Sequence, residues 1–197
     1  MSPRSDSDVT LGLVSASEAD LALIAGIVNR AFHTHALMNG RDRTHLAGLL
    51  EESGPDGAFI LASVNGSVVA TAMVRSVLAD FDGAPGYTPT ATALYFGLAA
   101  VEPTRMRSGL GRALVAEAER IALQGGFTHV ALSTLYEFGL VPYYTRQGFT
   151  PMADETFDAG HWGLQEIHTL VTWRKRCERP HTSACHAGRR CRTLFPH

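Results

Sequence analysis

The chain has 197 residues, of which 45% are hydrophobic and 18% charged. That is enough for one α/β domain with a core of its own, and no run approaches the 18 or so apolar residues of a membrane span. From Arg174 onward stand seven basic residues and one acid, which leaves 10 basic and 18 acidic residues before them, a body near −8 with a tail near +6. An acidic body argues against nucleic acid as the main partner. The opening MSPRSDSDVT has no apolar leader core, and Cys177, Cys185 and Cys191 all lie in the last 21 residues. The body therefore has no disulfide framework, and a reducing cytoplasm is the expected compartment.

A short strand is expected at 9–14. Ser15-Ala16-Ser17-Glu18 has the pattern of a capping box, and Leu21, Ile24, Ala25 and Val28 continue a helical stripe to about His33. A loop over 34–43 leads to a second short helix at about 44–52, which Ser53-Gly54-Pro55-Asp56-Gly57 breaks. Strands at 59–64 and 67–77 flank Asn65-Gly66, a strong hairpin signal. A polar loop over 80–89 precedes a strand at 94–101 that is apolar on both faces, as suits a central strand covered on each side. From Leu110 the period changes. Leu110, Leu114, Ala118 and Ile121 form one stripe, Arg112, Glu119 and Gln124 lie elsewhere, and Gly125-Gly126 ends the helix. Further on come a strand at 129–134, a short helix at 142–147, a strand starting near Phe149 and a last strand at 165–174. The order is β-α-α-β-β-β-α-β-α-β-β, without internal repeats. From Cys177 all periodicity is lost and a disordered tail is expected.

The chemistry centres on Met106-Arg107-Ser108-Gly109-Leu110-Gly111. The first backbone N–H groups of a helix lack partners within it, and the helix dipole makes that end positive. Glycines let an anion approach those donors, so the turn suits phosphate, with Arg107 and Arg112 adding charge at the rim. A P-loop would need Gly-Lys-Ser/Thr, which is missing, and a dinucleotide fingerprint would need Gly or Ala where Leu114 stands.

The turn resembles the acyl-CoA pyrophosphate turn of the GCN5-related N-acetyltransferases (GNAT), Gln/Arg-x-x-Gly-x-Gly/Ala, set a few residues after a strand ending in Val-x-Pro. Here Val101-Glu102-Pro103 precedes it in the same register, with Met106 in the Gln/Arg position. Backbone binding of phosphate survives that departure, and Arg105 or Arg107 would have to tilt in to replace the side chain. Downstream, Val141-Pro142-Tyr143-Tyr144-Thr145-Arg146-Gln147-Gly148-Phe149 resembles the family's Tyr-x-x-x-Gly-Phe segment, a helix and a strand away as the family has it.

The resemblance implies an α/β (α+β) GNAT fold over residues 1–175, with a mixed central sheet of about seven strands and a splayed central strand, followed by a basic tail over 176–197. It implies acetyl-CoA as co-substrate, with backbone groups of Ala99, Ala100 and Val101 pairing with the pantetheine amides and Met106, Arg107, Ser108, Gly109, Leu110 and Gly111 cradling the pyrophosphate. A bulge near Ala99–Val101 would free those groups and let an N–H polarise the thioester carbonyl. Gly97 is compatible with such a distortion or simply relieves crowding. Tyr144 takes the family's general-acid position, with Tyr143 a weaker candidate. A phenol of pKa about 10 suits a departing thiol of about 8–9.

No base emerges. The stretch 90–101 holds no acid, and Glu137, Asp80, Asp82, His33, His35 or a water chain stay open as alternatives. The expected reaction is acetyl transfer to a primary amine of a small cationic or neutral molecule, by direct attack on the thioester. Acetylation of a protein N-terminus or lysine is the alternative, as is a non-catalytic CoA-binding module, which Met106 and the missing acid favour. An enzyme acetylating aminoacyl-tRNA should carry positive charge on its body. No nucleic acid or membrane partner is expected, and a homodimer is compatible with the sequence. No metal is expected either, since Cys177, His181, Cys185, His186 and Cys191 have spacings unlike a zinc finger.

Overall fold

The computed structural model of the chain describes residues 9–14, 18–33, 46–48, 57–76, 92–159 and 167–177. Its strands are β1 (Val9–Val14), β2 (Ala58–Val64), β3 (Ser67–Ser76), β4 (Ala93–Val101), β5 (His129–Leu135), β6 (Thr150–Phe157) and β7 (His168–Arg176). Its helices are α1 (Glu18–His33), α2 (Leu110–Gln124) and α3 (Val141–Arg146). Of the second helix expected at 44–52, residues 46–48 are described and are helical. The loop expected at 80–89, the capping residues 15–17 and the tail from 178 lie outside the described residues.

One seven-stranded sheet runs in the order β1-β2-β3-β4-β5-β7-β6. Only β4 and β5 are parallel; every other pair is antiparallel. Asn65 and Gly66 both have positive φ, 52° and 78°, which is the tight hairpin turn their sequence demands. The expected stripe of α2 is buried, with Leu114 and Ala118 at 0% exposure, and packs with α3 against one sheet face beside Ile60, Phe96, Leu132 and Trp173. Helix α1 covers the other face, placing Ile24, Ile27 and Val28 against Phe59, Leu61 and Met73. Each fully buried Leu, Ile or Phe stabilises the fold by roughly 1.5–3 kcal/mol, so the two layers fix the sheet between them.

The last strand differs from expectation. It runs from His168 to Arg176 rather than over 165–174, and Cys177, read as the start of the tail, is buried and donates its N–H to the Thr128 carbonyl at 2.9 Å. The basic run 174–176 looks like solvated chain. It stays in register because these residues pair with Ala131, Val130 and His129 across β5, and Lys175 forms an ion pair with Glu119 of α2.

Candidate active site

The site is made by two strands that part. β4 and β5 pair only over Ala93↔His129, Leu94↔Val130 and Tyr95↔Ala131, although β4 continues to Val101 and β5 to Leu135. Beyond Tyr95 they diverge, and the β5-facing edge of β4 has no strand partner among the described residues. On its other edge β4 stays paired with β3, but between Met73↔Gly97 and Thr71↔Ala100 it holds one residue more than β3 does. Leu98 and Ala99 therefore oppose Ala72 alone, a β-bulge that bends the strand where the gap opens. Leu98 carries the strain, with φ +47°, a conformation that disfavours a side chain. Gly97 has no positive φ; a Cβ there would come within 2.7 Å of the Tyr95 ring. Its role is thus to relieve crowding, and the distortion sits one residue later.

After Val101 the chain closes off β4 with Glu102 N–H bonded to the Val69 carbonyl at 2.9 Å, makes a 3-10 turn at Pro103–Arg105 and enters α2. Arg30 of α1 grips the Glu102 carboxylate at both oxygens, 3.1 Å from Nε and 2.5 Å from one terminal nitrogen, so Glu102 is not a free acid. Arg107 and Gly109 have φ of +61° and +92° on either side of Ser108, whose hydroxyl donates to the Arg105 carbonyl at 2.6 Å. Such alternation turns successive N–H groups to one side and forms an anion-binding concavity. The first helical bond is Ala113 N–H to Gly109 carbonyl at 3.0 Å, and no side chain caps Gly109. The N–H groups of residues 107–112 thus donate to no carbonyl among the described residues. Arg105, Arg107 and Arg112 are exposed and enter no ion pair there, and the turn holds no acid. Met106 is 44% exposed, and its N–H bonds to Pro103 at 3.4 Å.

These features fit the pyrophosphate and pantetheine arm of an acyl-CoA. Unpartnered donors and arginines are of the kind that suits phosphates, and an open strand edge is of the kind that suits amides.

Tyr143 and Tyr144 come to the same place from α3. Tyr144 is 7% exposed, edge-on to Tyr143 (5.1 Å) and Phe149 (5.7 Å) and 6.0 Å from Trp173. Burial raises its phenol well above the ordinary range, helped by the phenols of Tyr143 and Tyr95. Tyr95 is the last residue of β4 that pairs with β5, so Tyr144 lies within electrostatic reach of the point where the strands part. Tyr143 is half-buried with its hydroxyl sealed and unpartnered, and burial raises its phenol also. That hydroxyl lies 2.9 Å from where a Cβ on Gly111 would stand. Gly111 is therefore needed for helix contact as much as for the anion.

Of the candidate bases, Asp80, Asp82 and His35 lie outside the described residues. Glu137 is exposed and one of its oxygens accepts the Thr169 N–H at 2.8 Å, while His33 ends α1. No group of three or more His, Cys, Asp or Glu that could hold a metal exists among the described residues, and no helix there is long and apolar enough to cross a membrane.

Residues 28–149 match the sequence profile of the acetyltransferase (GNAT) family. The chain belongs to that family. Solved GNAT structures repeat the fold at low identity. An Escherichia coli ribosomal-protein-S18-alanine N-acetyltransferase superposes with TM-score 0.63 at 17% identity, covering 90% of this chain and 100% of that one. A putative acetyltransferase from Salmonella typhimurium, solved with its cofactor acetyl-CoA, gives 0.62 at 22%, covering 89% and 99%. A putative phosphinothricin N-acetyltransferase gives 0.63 at 16%, covering 86% and 100%. No curated relative matches the sequence. The seven-stranded mixed sheet and its parted central strands are those of a GNAT acetyltransferase. Leu98, the Tyr143–Gly111 contact and the Arg30–Glu102 pair escaped the sequence reading, and none of them has a local sequence signal.

Proposed function

We propose that this GNAT protein transfers the acetyl group of acetyl-CoA to a primary amine of a small molecule, by direct attack of the amine on the thioester. The observation that carries this reading is the parting of β4 from β5 directly beside a turn of unpartnered N–H groups. Acetyl-CoA supplies the activated acyl group; the chain supplies position and polarity. Residues 107–112 and Arg107 hold the phosphates, and the free edge of Ala99, Ala100 and Val101 holds the arm at the bulge, where an N–H polarises the carbonyl.

Tyr144 serves as the donor to the departing sulfur. Its raised pKa keeps the hydroxyl protonated at every working pH. It also means that full transfer to a thiolate of pKa about 8–9 is uphill, so the hydrogen bond itself does most of the stabilising. The acceptor has to reach the site as neutral amine, and two acids of the described residues, Glu102 and Glu137, are already engaged. The acidic body favours a cationic or neutral acceptor by long-range attraction.

The test is thiol release from acetyl-CoA over a panel of amines, amino acids, polyamines and aminoglycosides, with peptides bearing free N-termini or lysines alongside. Turnover with small amines is the expected result. Turnover confined to peptides would replace the small-molecule acceptor by a protein. Tight acetyl-CoA binding without turnover on any acceptor would leave a CoA-binding module.

A further inference from the structure

The sheet has a second concave end. Where β4 and β5 remain paired, away from the gap, a cavity of about 680 Å³ is lined by Arg174, Lys175 and Arg176 of β7, Arg146 at the end of α3, His129 at the start of β5 and Glu119 of α2. None of these residues belongs to the turn or to the strand edge assigned to acetyl-CoA. Four cations face one carboxylate, and that carboxylate is taken by Lys175. Arg146, Arg174 and Arg176 have no acidic partner among the described residues. On a body near −8, three guanidinium groups without an acidic partner gathered at one place make a local positive patch that favours a bound anion.

We propose that this groove is a second anion site, distinct from the acyl-CoA site, that takes a small ligand bearing two or more phosphate groups. The volume lies within the roughly 300–1,000 Å³ of small-molecule sites, but such sites are usually mostly apolar. Here Met152 is the one apolar side chain of the lining, so the driving force is charge. Guanidinium groups present paired N–H donors that match phosphate oxygens two at a time, and the groove draws three of them from two separate elements. One charge on the ligand would leave two arginines unmet; a di- or triphosphate meets all three. The positive field is felt within the site itself. Besides burial, Arg174 and Arg176 hold the His129 imidazole below its ordinary pKa.

The test uses the full-length protein saturated with CoA, titrated calorimetrically with pyrophosphate at low and at physiological salt. The expected result is one further pyrophosphate per chain, weakened by salt. Arg174→Gln and Arg176→Gln should each weaken it about tenfold or more, with acetyl-CoA turnover kept. In the wild type, pyrophosphate should move the His129 titration upward, because the added anion favours imidazolium. Pyrophosphate binding that CoA abolishes, or that Gly111→Asp removes and the arginine variants retain, overturns the proposal and assigns the binding to the turn. A uridine oligonucleotide that binds the same arginines more tightly than pyrophosphate also overturns it. Neither result bears on acetyl transfer, which the thiol-release assay decides separately.

Discussion

The same two strands, β4 and β5, behave differently at their two ends. At the paired end, backbone groups are satisfied and the apolar side chains that face the core are sealed, with the charged groove lying outside them. Leu94 faces Val130 at 1% and 0% exposure, Thr128 and Cys177 close the corner by backbone bonds, and no residue of 93–95 has positive φ. At the parted end the reverse holds. Leu98 is held at φ +47°, and among the described residues the N–H groups of 107–112 lack partners and the Tyr143 hydroxyl is sealed without one. The difference teaches that stability and chemistry are separated along one pair of strands. Strain and unmet hydrogen-bonding persist where a ligand can use them, and the paired end over-determines the fold that holds them there.

Substitutions at each end should therefore fail in different ways. The largest effect is expected for Gly111→Asp, which puts a carboxylate among the unpartnered donors and a Cβ against Tyr143. Acetyl-CoA binding should be lost in calorimetry, with circular dichroism unchanged; normal binding would end the assignment of the turn. Leu94→Ala strikes the paired end. It should cost about 2–5 kcal/mol of stability in denaturant melts while the folded fraction keeps its turnover, and loss of turnover at full stability would break the contrast.

Tyr144→Phe belongs to the parted end and keeps the ring that packs on Phe149 and Trp173. Single-turnover rate should fall by roughly 10²–10⁴-fold with acetyl-CoA affinity little changed. Equal rates would remove Tyr144 from the reaction. The smallest effect concerns pH. The folded pKa of His129 is depressed by burial and by Arg174 and Arg176, so the unfolded chain binds the proton more readily. Stability should thus decline as pH falls below the ordinary histidine value of about 6.5. His129→Gln should flatten that acid limb in thermal melts, and an unchanged limb would show that other groups set it.

Much of this was legible in the sequence. Strand and helix order followed from period and punctuation, because Asn65-Gly66 can hardly be anything but a tight turn and the stripe from Leu110 can hardly face anything but a core. Gly109 and Gly111 marked the turn before α2 because its backbone geometry is local. The rest depended on partners distant in sequence. The resemblance implied a bulge near Ala99–Val101, but nothing about a leucine announces positive φ, so the strain at Leu98 was invisible although Gly97 marked its neighbourhood. Gly111 and Tyr143 meet only once α2 and α3 pack together. Lys175 and Arg176 stood past the expected end of the last strand at Arg174 because their pairing with β5 and with Glu119 lies far upstream.

The bulge has one more consequence. A strand's side chains alternate between faces, and an extra residue shifts the phase of that alternation. Before it, Leu94 and Phe96 point into the α2 layer and Tyr95 toward α1; after it, Ala99 and Val101 point into the α2 layer and Ala100 toward α1. Even numbers exchange with odd at Leu98. Leu98 is the residue that repeats a face, so deleting it would straighten β4 and leave Ala99, Ala100 and Val101 opposite the same residues of β3 and on the layers they face now. The core packing would survive that deletion, and the bend at the gap would not.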